Sequence, residues 1–177
     1  YGAFNMNINT PRGQSALAYE HECIEAFCNL YPDYRFLETD KREPAAIDGF
    51  FYLHKRNWVD CAVEVKTRDM TTEQLICNFG NEWLVTHDKI LKGQLISELI
   101  CCPFIGMLYL IPEKKILTIK LTDNRGKFLV DFDVRKTKTQ ECINGGEKIV
   151  NNAFIPMDTA KEHIWYTKQT ASSATTT

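Results

Sequence analysis

Two carboxylates and a lysine stand at a spacing that suits hydrolysis of a phosphate ester. They are Asp48 and the run Glu64-Val65-Lys66. Strand alternation places Glu64 and Lys66 on one face of an otherwise apolar strand, with Val63 and Val65 on the other. Asp48 lies on the preceding strand, with Phe50 and Tyr52 as same-face neighbours. Hairpin pairing would bring Asp48 and Glu64 together across the ladder. Two carboxylates so placed repel each other unless a positive charge sits between them. A hard divalent cation such as Mg²⁺, which takes few carboxylates and keeps several waters, fits that need. Lys66 would then orient or deprotonate a water. The chemistry is in-line hydrolysis of a phosphodiester, in which the metal stabilises charge and supplies hydroxide.

A lone Glu-x-Lys on a strand is ordinarily a solvated face. The aspartate on the preceding strand adds weight, and Glu20 adds more. Glu20 falls on the apolar stripe of the first helix, where an unpaired carboxylate is costly to bury and therefore implies a partner or a metal-bound water.

The elements that must position these groups follow from periodicity. From about Ser15, the residues Leu17, Glu20, Ile24, Phe27 and Leu30 share one helical stripe, which Pro32 ends. Three β-type runs follow over 34–38, 46–53 and 59–66, the last two joined by His54-Lys55-Arg56-Asn57 at hairpin length. Thr71-Thr72-Glu73-Gln74 carries an N-cap signature. A longer helical pattern over 82–101 ends at Pro103, and strands over 104–111, 116–121 and 127–134 come next. Gly145-Gly146 marks a turn, and 158–165 reads as a last short helix. The expected fold is a single α/β domain over 1–167 with a mixed central sheet flanked by helices, after an irregular lead-in over 1–12. A Ser/Thr/Ala-rich flexible tail over 168–177 closes the chain.

Composition narrows the class. The chain of 177 residues is 44% apolar and 25% charged, which argues for one folded domain rather than disorder. A net charge of -2 means that the molecule as a whole does not attract nucleic acid. DNA would have to be held by a local basic surface, helped by the charge of a metal. The seven cysteines form no C-x-x-C pair and read as reduced core thiols of an intracellular, cytoplasmic protein. No membrane span is expected, since no apolar run approaches about 18 residues. No secretory signal pattern stands at the front, and a start at Tyr1 fits a processed or trimmed sequence.

The run Pro44-Ala-Ala-Ile-Asp48, followed by Glu64-Val65-Lys66, resembles the PD-(D/E)XK nuclease superfamily, which includes restriction endonucleases, archaeal Holliday-junction resolvases and RecB-like nucleases. The resemblance covers roughly residues 13–100 and implies a restriction endonuclease-like core. It also implies that Asp48 and Glu64 bind Mg²⁺ or Mn²⁺, that the Val65 carbonyl adds a ligand, and that Lys66 is the catalytic lysine. Glu20 looks like the acidic residue that many members place on the first helix, whereas Glu22 and Glu25 point more toward solvent. Asp48 follows Ile47 rather than a proline, with Pro44 displaced toward the front. Gln94 resembles the glutamine of RecB-like members, although Glu98 stands where their tyrosine usually falls.

Lys55, Arg56, Arg68, Lys92 and Gln94 are the expected substrate contacts, with Lys89 among the other cations that follow the motif. The resulting expectation is a Mg-dependent deoxyribonuclease acting on DNA, with a homodimer or a protein partner as a further implication of the family. The competing expectation is a nucleic-acid- or protein-binding module on the same fold with little or no catalysis.

Overall fold

The computed structural model describes residues 11–40, 45–56, 58–138 and 149–164. Pro44, Cys142, Gly145-Gly146, the tail over 168–177 and most of the lead-in lie outside the described residues. Among the described residues the chain forms three α-helices and nine strands: α1(Pro11–Leu30), β1(Tyr34–Glu38), β2(Gly49–Leu53), β3(Trp58–Arg68), α2(Thr72–Phe79), β4(Glu82–Thr86), α3(His87–Ile100), β5(Phe104–Leu110), β6(Lys115–Lys120), β7(Asp133–Lys138), β8(Ile149–Pro156) and β9(Lys161–Ile164). The fold is mixed α/β. A six-stranded sheet runs β1-β2-β3-β5-β6-β9, and a smaller one runs β4-β8-β7. Only the β3–β5 pairing is parallel, so the large sheet is mixed.

Side-chain alternation along β3 and β5 divides the interior into two cores. Cys61, Val63, Val65, Met107 and Tyr109 face α1 and meet its Cys23 and Ala26, all buried. Small residues at the centre of the α1 stripe let the helix lie close on the sheet, with Ile24 and Phe27 half-buried at its sides. The helix starts earlier than Ser15 because Pro11 is tolerated in a first turn, where its missing N–H would be unpaired anyway. On the opposite face Ala62, Phe104, Leu108 and Leu110 pack against Ile90 of α3 and against Trp83, Val85, Ala153 and Ile155 of the small sheet. Two glycines permit that approach. A Cβ on Gly93 would lie 2.2 Å from the Phe104 ring, and one on Gly106 would lie 2.3 Å from Trp83 Cζ3.

Several segments differ from the sequence expectation. β2 begins at Gly49, and residues 46–48 form a bend in which Ile47 is buried. Thr71 does cap α2, through a reciprocal capping box with Gln74. The pattern over 82–101 is not one helix. Gly80 and Asn81 take positive φ and stop α2, Trp83 and Val85 alternate inward as β4, and α3 begins only at His87. Phe128 makes an isolated bridge to Thr122, and Phe128, Val130 and Phe132 pack on the core without forming a strand. The predicted last helix is strand β9, because the open edge of β6 offers it a ladder. β8, absent from the sequence reading, is the middle strand of the small sheet.

Cys23, Cys61 and Cys102 are buried thiols and Cys28 is half-buried, while Cys77 and Cys101 are exposed. Burial pushes the Cys61 thiol up to about 12. Among the described residues no helix is long and apolar enough to cross a membrane.

Trp83 is 1% exposed and cannot yield to an added methyl group. Gly106→Ala should therefore lower stability by about 1–3 kcal/mol, read as a lower urea midpoint at unchanged slope.

His163 joins three elements. Its Nδ1 meets the Tyr31 hydroxyl at 2.7 Å and its Nε2 meets Thr118 Oγ1 at 2.9 Å. Burial, assisted by the Lys161 charge, holds its pKa below the ordinary 6.5. The unfolded chain then takes up the proton first as pH falls, so stability present above pH 6.5 is lost below it. Urea midpoints measured from pH 7.5 down to about 5.5 should fall more steeply for the wild type than for His163→Gln.

Candidate active site

Asp48 is fixed by its backbone before its side chain acts. Its N–H donates to the Val63 carbonyl at 3.0 Å, and its own carbonyl accepts from Thr39 N at 3.0 Å. Ile47 anchors the bend from below, at 1% exposure. The carboxylate then reaches over β3, where its Oδ2 accepts from the Val65 N–H at 2.8 Å. Glu64 sits opposite Gly106 in the parallel ladder and is completely buried.

Two lysines meet this pair. Lys66 Nζ donates to Glu64 Oε1 at 2.6 Å and to the Val65 carbonyl at 3.0 Å, and lies 3.9 Å from Asp48 Oδ2. Lys89 Nζ, from the first turn of α3, lies 3.3 Å from Glu64 Oε2 and 4.0 Å from Asp48 Oδ1. Burial works against the Lys66 ammonium, but Glu64, Asp48 and then Glu20 outweigh it and hold its pKa above the ordinary lysine value. In this arrangement Lys66 is a cation that donates hydrogen bonds and not a base. Glu20 contributes to that field from α1.

The structure thus brings Asp48, Glu64, Val65 and Lys66 together, with Glu20 acting on Lys66. The other expected residues fare differently. Lys55 and Arg56 belong at the closed end of the β2–β3 hairpin, in a short 3₁₀ turn, and are not beside the site as expected. The whole of β2, about 17 Å of strand, separates them from Asp48, and Lys55 pairs there with Asp33 at 2.8 Å. The error arose because a hairpin has two ends and Asp48 precedes the open one. The Arg68 guanidinium is on the site's face of β3 but donates to the Thr67 and Leu84 carbonyls at 2.9 and 3.2 Å, tying β3 to β4. Lys92, one turn beyond Lys89, pairs with Asp88 at 2.7 Å. The Gln94 amide donates to the Gly126 carbonyl at 3.0 Å and holds the loop after β6. Glu25 is exposed, but Glu22 is half-buried, accepting from the Tyr109 hydroxyl at 2.9 Å with Lys114 at 3.4 Å.

Lys89 is the residue that sequence reasoning undervalued. With 82–101 read as one helix, it fell in mid-helix among surface cations. Once β4 is recognised, it falls in a first turn, beside the buried Ile90 and pointing at the sheet.

Among the described residues no group of three or more His, Cys, Asp or Glu side chains converges. The oxygen donors that do converge are the Asp48 and Glu64 carboxylates and the Val65 carbonyl, and the Lys66 ammonium occupies the point where they meet. A positive group already selects that position. Hard oxygen donors in this number fit Mg²⁺ or Mn²⁺, which complete their shells with water. No family model matches the chain, and comparison with curated proteins and with solved structures found no match.

With both lysines three-quarters or more buried, either one leaves Glu64 with a single remaining cation when removed. Lys66→Met and Lys89→Met together should cost more than the sum of the two single losses, reaching about 3–5 kcal/mol in urea unfolding, because the buried Glu64 charge is then uncompensated.

Proposed function

We propose that this chain is a metal-dependent nuclease of PD-(D/E)XK type that hydrolyses phosphodiester bonds in DNA. The observation that carries this reading is the convergence of Asp48, Glu64, the Val65 carbonyl and the Lys66 ammonium on one point. The order of elements supports it further. A helix, three antiparallel strands, a second helical layer and a strand parallel to β3 agree with a restriction endonuclease-like core.

Asp48 and Glu64 would hold Mg²⁺ or Mn²⁺, with the Val65 carbonyl as a third donor. When bound, the metal supplies Lewis-acid stabilisation of the phosphoryl charge and a water of lowered pKa. Asp48 is preorganised for this by the Val65 N–H, which fixes one carboxylate oxygen and the direction of the other. Lys66, beside those oxygens, would donate a hydrogen bond to a water or to a phosphoryl oxygen on which negative charge develops. The Glu20 charge, after those of Glu64 and Asp48, favours the charged form of that ammonium. Burial of Glu64 and the covering by α3 exclude bulk water from one side, which strengthens each of these interactions.

In this reading Lys92, on the helix that carries Lys89, would border a DNA backbone, whereas Arg68 is committed to the Thr67 and Leu84 carbonyls. A homodimer or a protein partner belongs to the same reading, on the family resemblance alone. One observation favours a second reading, a binding module on the same fold: two lysines already neutralise the two carboxylates, and such a network is internally satisfied without a metal.

Cleavage of linear, circular and branched DNA with Mg²⁺ or Mn²⁺ separates the two. Asp48→Ala and Lys66→Ala should each reduce cutting by roughly a hundredfold or more. If the folded wild type cuts none of these substrates and binds no metal by calorimetry, the module reading replaces the nuclease.

A further inference from the structure

We infer that Lys89 is a phosphate-binding residue, held on Glu64 and Asp48 until a divalent cation displaces it toward substrate. This role rests on the nuclease reading and adds to it a thermodynamic coupling between metal and DNA.

The two lysines use different oxygens of the same carboxylates. Lys66 takes Glu64 Oε1 and the Asp48 Oδ2 side, whereas Lys89 takes Glu64 Oε2 and the Asp48 Oδ1 side. The ammoniums therefore flank the pair from two directions, one from β3 and one from α3. Lys66 is held the more tightly, at 2.6 Å from Glu64 and with a backbone carbonyl besides. Lys89 sits at 3.3 and 4.0 Å from its carboxylates and has no carbonyl contact among the described residues. It is the cation more readily released, and its flexible four-carbon stem lets the charge move without moving α3.

Charge decides where it goes. Asp48 and Glu64 against Lys66 and Lys89 leave the cluster neutral. A divalent cation alone makes it two units positive, and a phosphodiester alone makes it one unit negative. Together they leave it one unit positive, half the surplus of the metal alone. A charge surplus in a site this buried is costly, so metal and phosphate each favour the other's binding. A metal between Asp48 and Glu64 repels the Lys89 ammonium, and the phosphate is the anion that receives it. Lys89 thus opposes metal binding in the free protein and supports substrate binding in the metal-loaded one.

These opposite signs make a test. Mn²⁺ is titrated calorimetrically into the full chain, with and without a phosphorothioate oligonucleotide, for wild type, Lys89→Met and Lys89→Arg. In the wild type the oligonucleotide should tighten Mn²⁺ binding about tenfold or more, and Mn²⁺ should tighten the oligonucleotide by the same factor. Lys89→Met should bind Mn²⁺ alone more tightly than wild type and show a smaller coupling. Its KM for cleavage should rise about tenfold with a lesser change in kcat, and its salt slope for DNA binding should fall by about one. Lys89→Arg, which keeps the charge, should retain the wild-type pattern. Equal or weaker Mn²⁺ binding by a folded Lys89→Met protein overturns the role and leaves Lys89 a structural counter-ion. Absence of coupling in the wild type overturns it without any variant. If the wild type cuts DNA while coupling is absent, only the role of Lys89 falls. If it neither binds Mn²⁺ nor cuts, the nuclease reading falls and takes this role with it.

Discussion

A carboxylate with no solvent exposure, in the middle of a mixed sheet, is the constraint around which this structure is organised. Glu64 lies on a strand flanked on both sides, opposite a glycine in the parallel ladder, and beneath a helix. Leaving such a charge alone would cost several kcal/mol. It persists because two ammoniums reach it from different elements, one on its own strand and one on α3. Replacing such a network by apolar packing is often neutral or stabilising, so its presence in an otherwise apolar core points to use rather than to stability.

The surrounding packing can be understood as what that convergence demands. Lys89 reaches Glu64 only because α3 lies close to the sheet, and α3 lies close because Gly93 gives way to the Phe104 ring. The small sheet is held by the same economy of space, with Trp83 lying over Gly106, the ladder partner of Glu64. Arg68 then ties β3 to β4 through two backbone carbonyls. On the other face, small residues of α1 bring that helix near enough for Glu20 to act on Lys66. Three segments thus supply the four charged groups that meet: β3 a carboxylate and an ammonium, α3 an ammonium, and the bend before β2 the second carboxylate.

Such a centre is near neutrality but strongly polarised, and it is assembled from rigid elements. Preorganised dipoles and charges of this kind need little rearrangement when charge develops on a bound phosphate. If the proposed metal takes the oxygens that the lysines now hold, the centre would also be responsive, since occupancy by one changes what the other is free to do.

What the sequence by itself determined was local. The period of two in β3 settled that Glu64 and Lys66 share a face, whereas Asp48, expected on the neighbouring strand, stands in the bend just before β2 and reaches the Val65 N–H from there. The capping residues of α2, the stop at Pro32 and the strands around Pro112 follow from short-range sterics and hydrogen bonding, which a few adjacent residues suffice to express. Tertiary structure decided whatever depended on a distant edge or face. β9 is a strand because β6 has an open edge, β8 because β4 and β7 flank it, and β4 because Trp83 and Val85 find a core on the sheet's other side. The same holds for the site. Lys55 and Arg56 are near Asp48 in sequence and a strand's length away in space, whereas Lys89, beyond a helix and a further strand, touches Glu64. Charge partners are chosen by packing across layers, and packing across layers leaves no period in the chain.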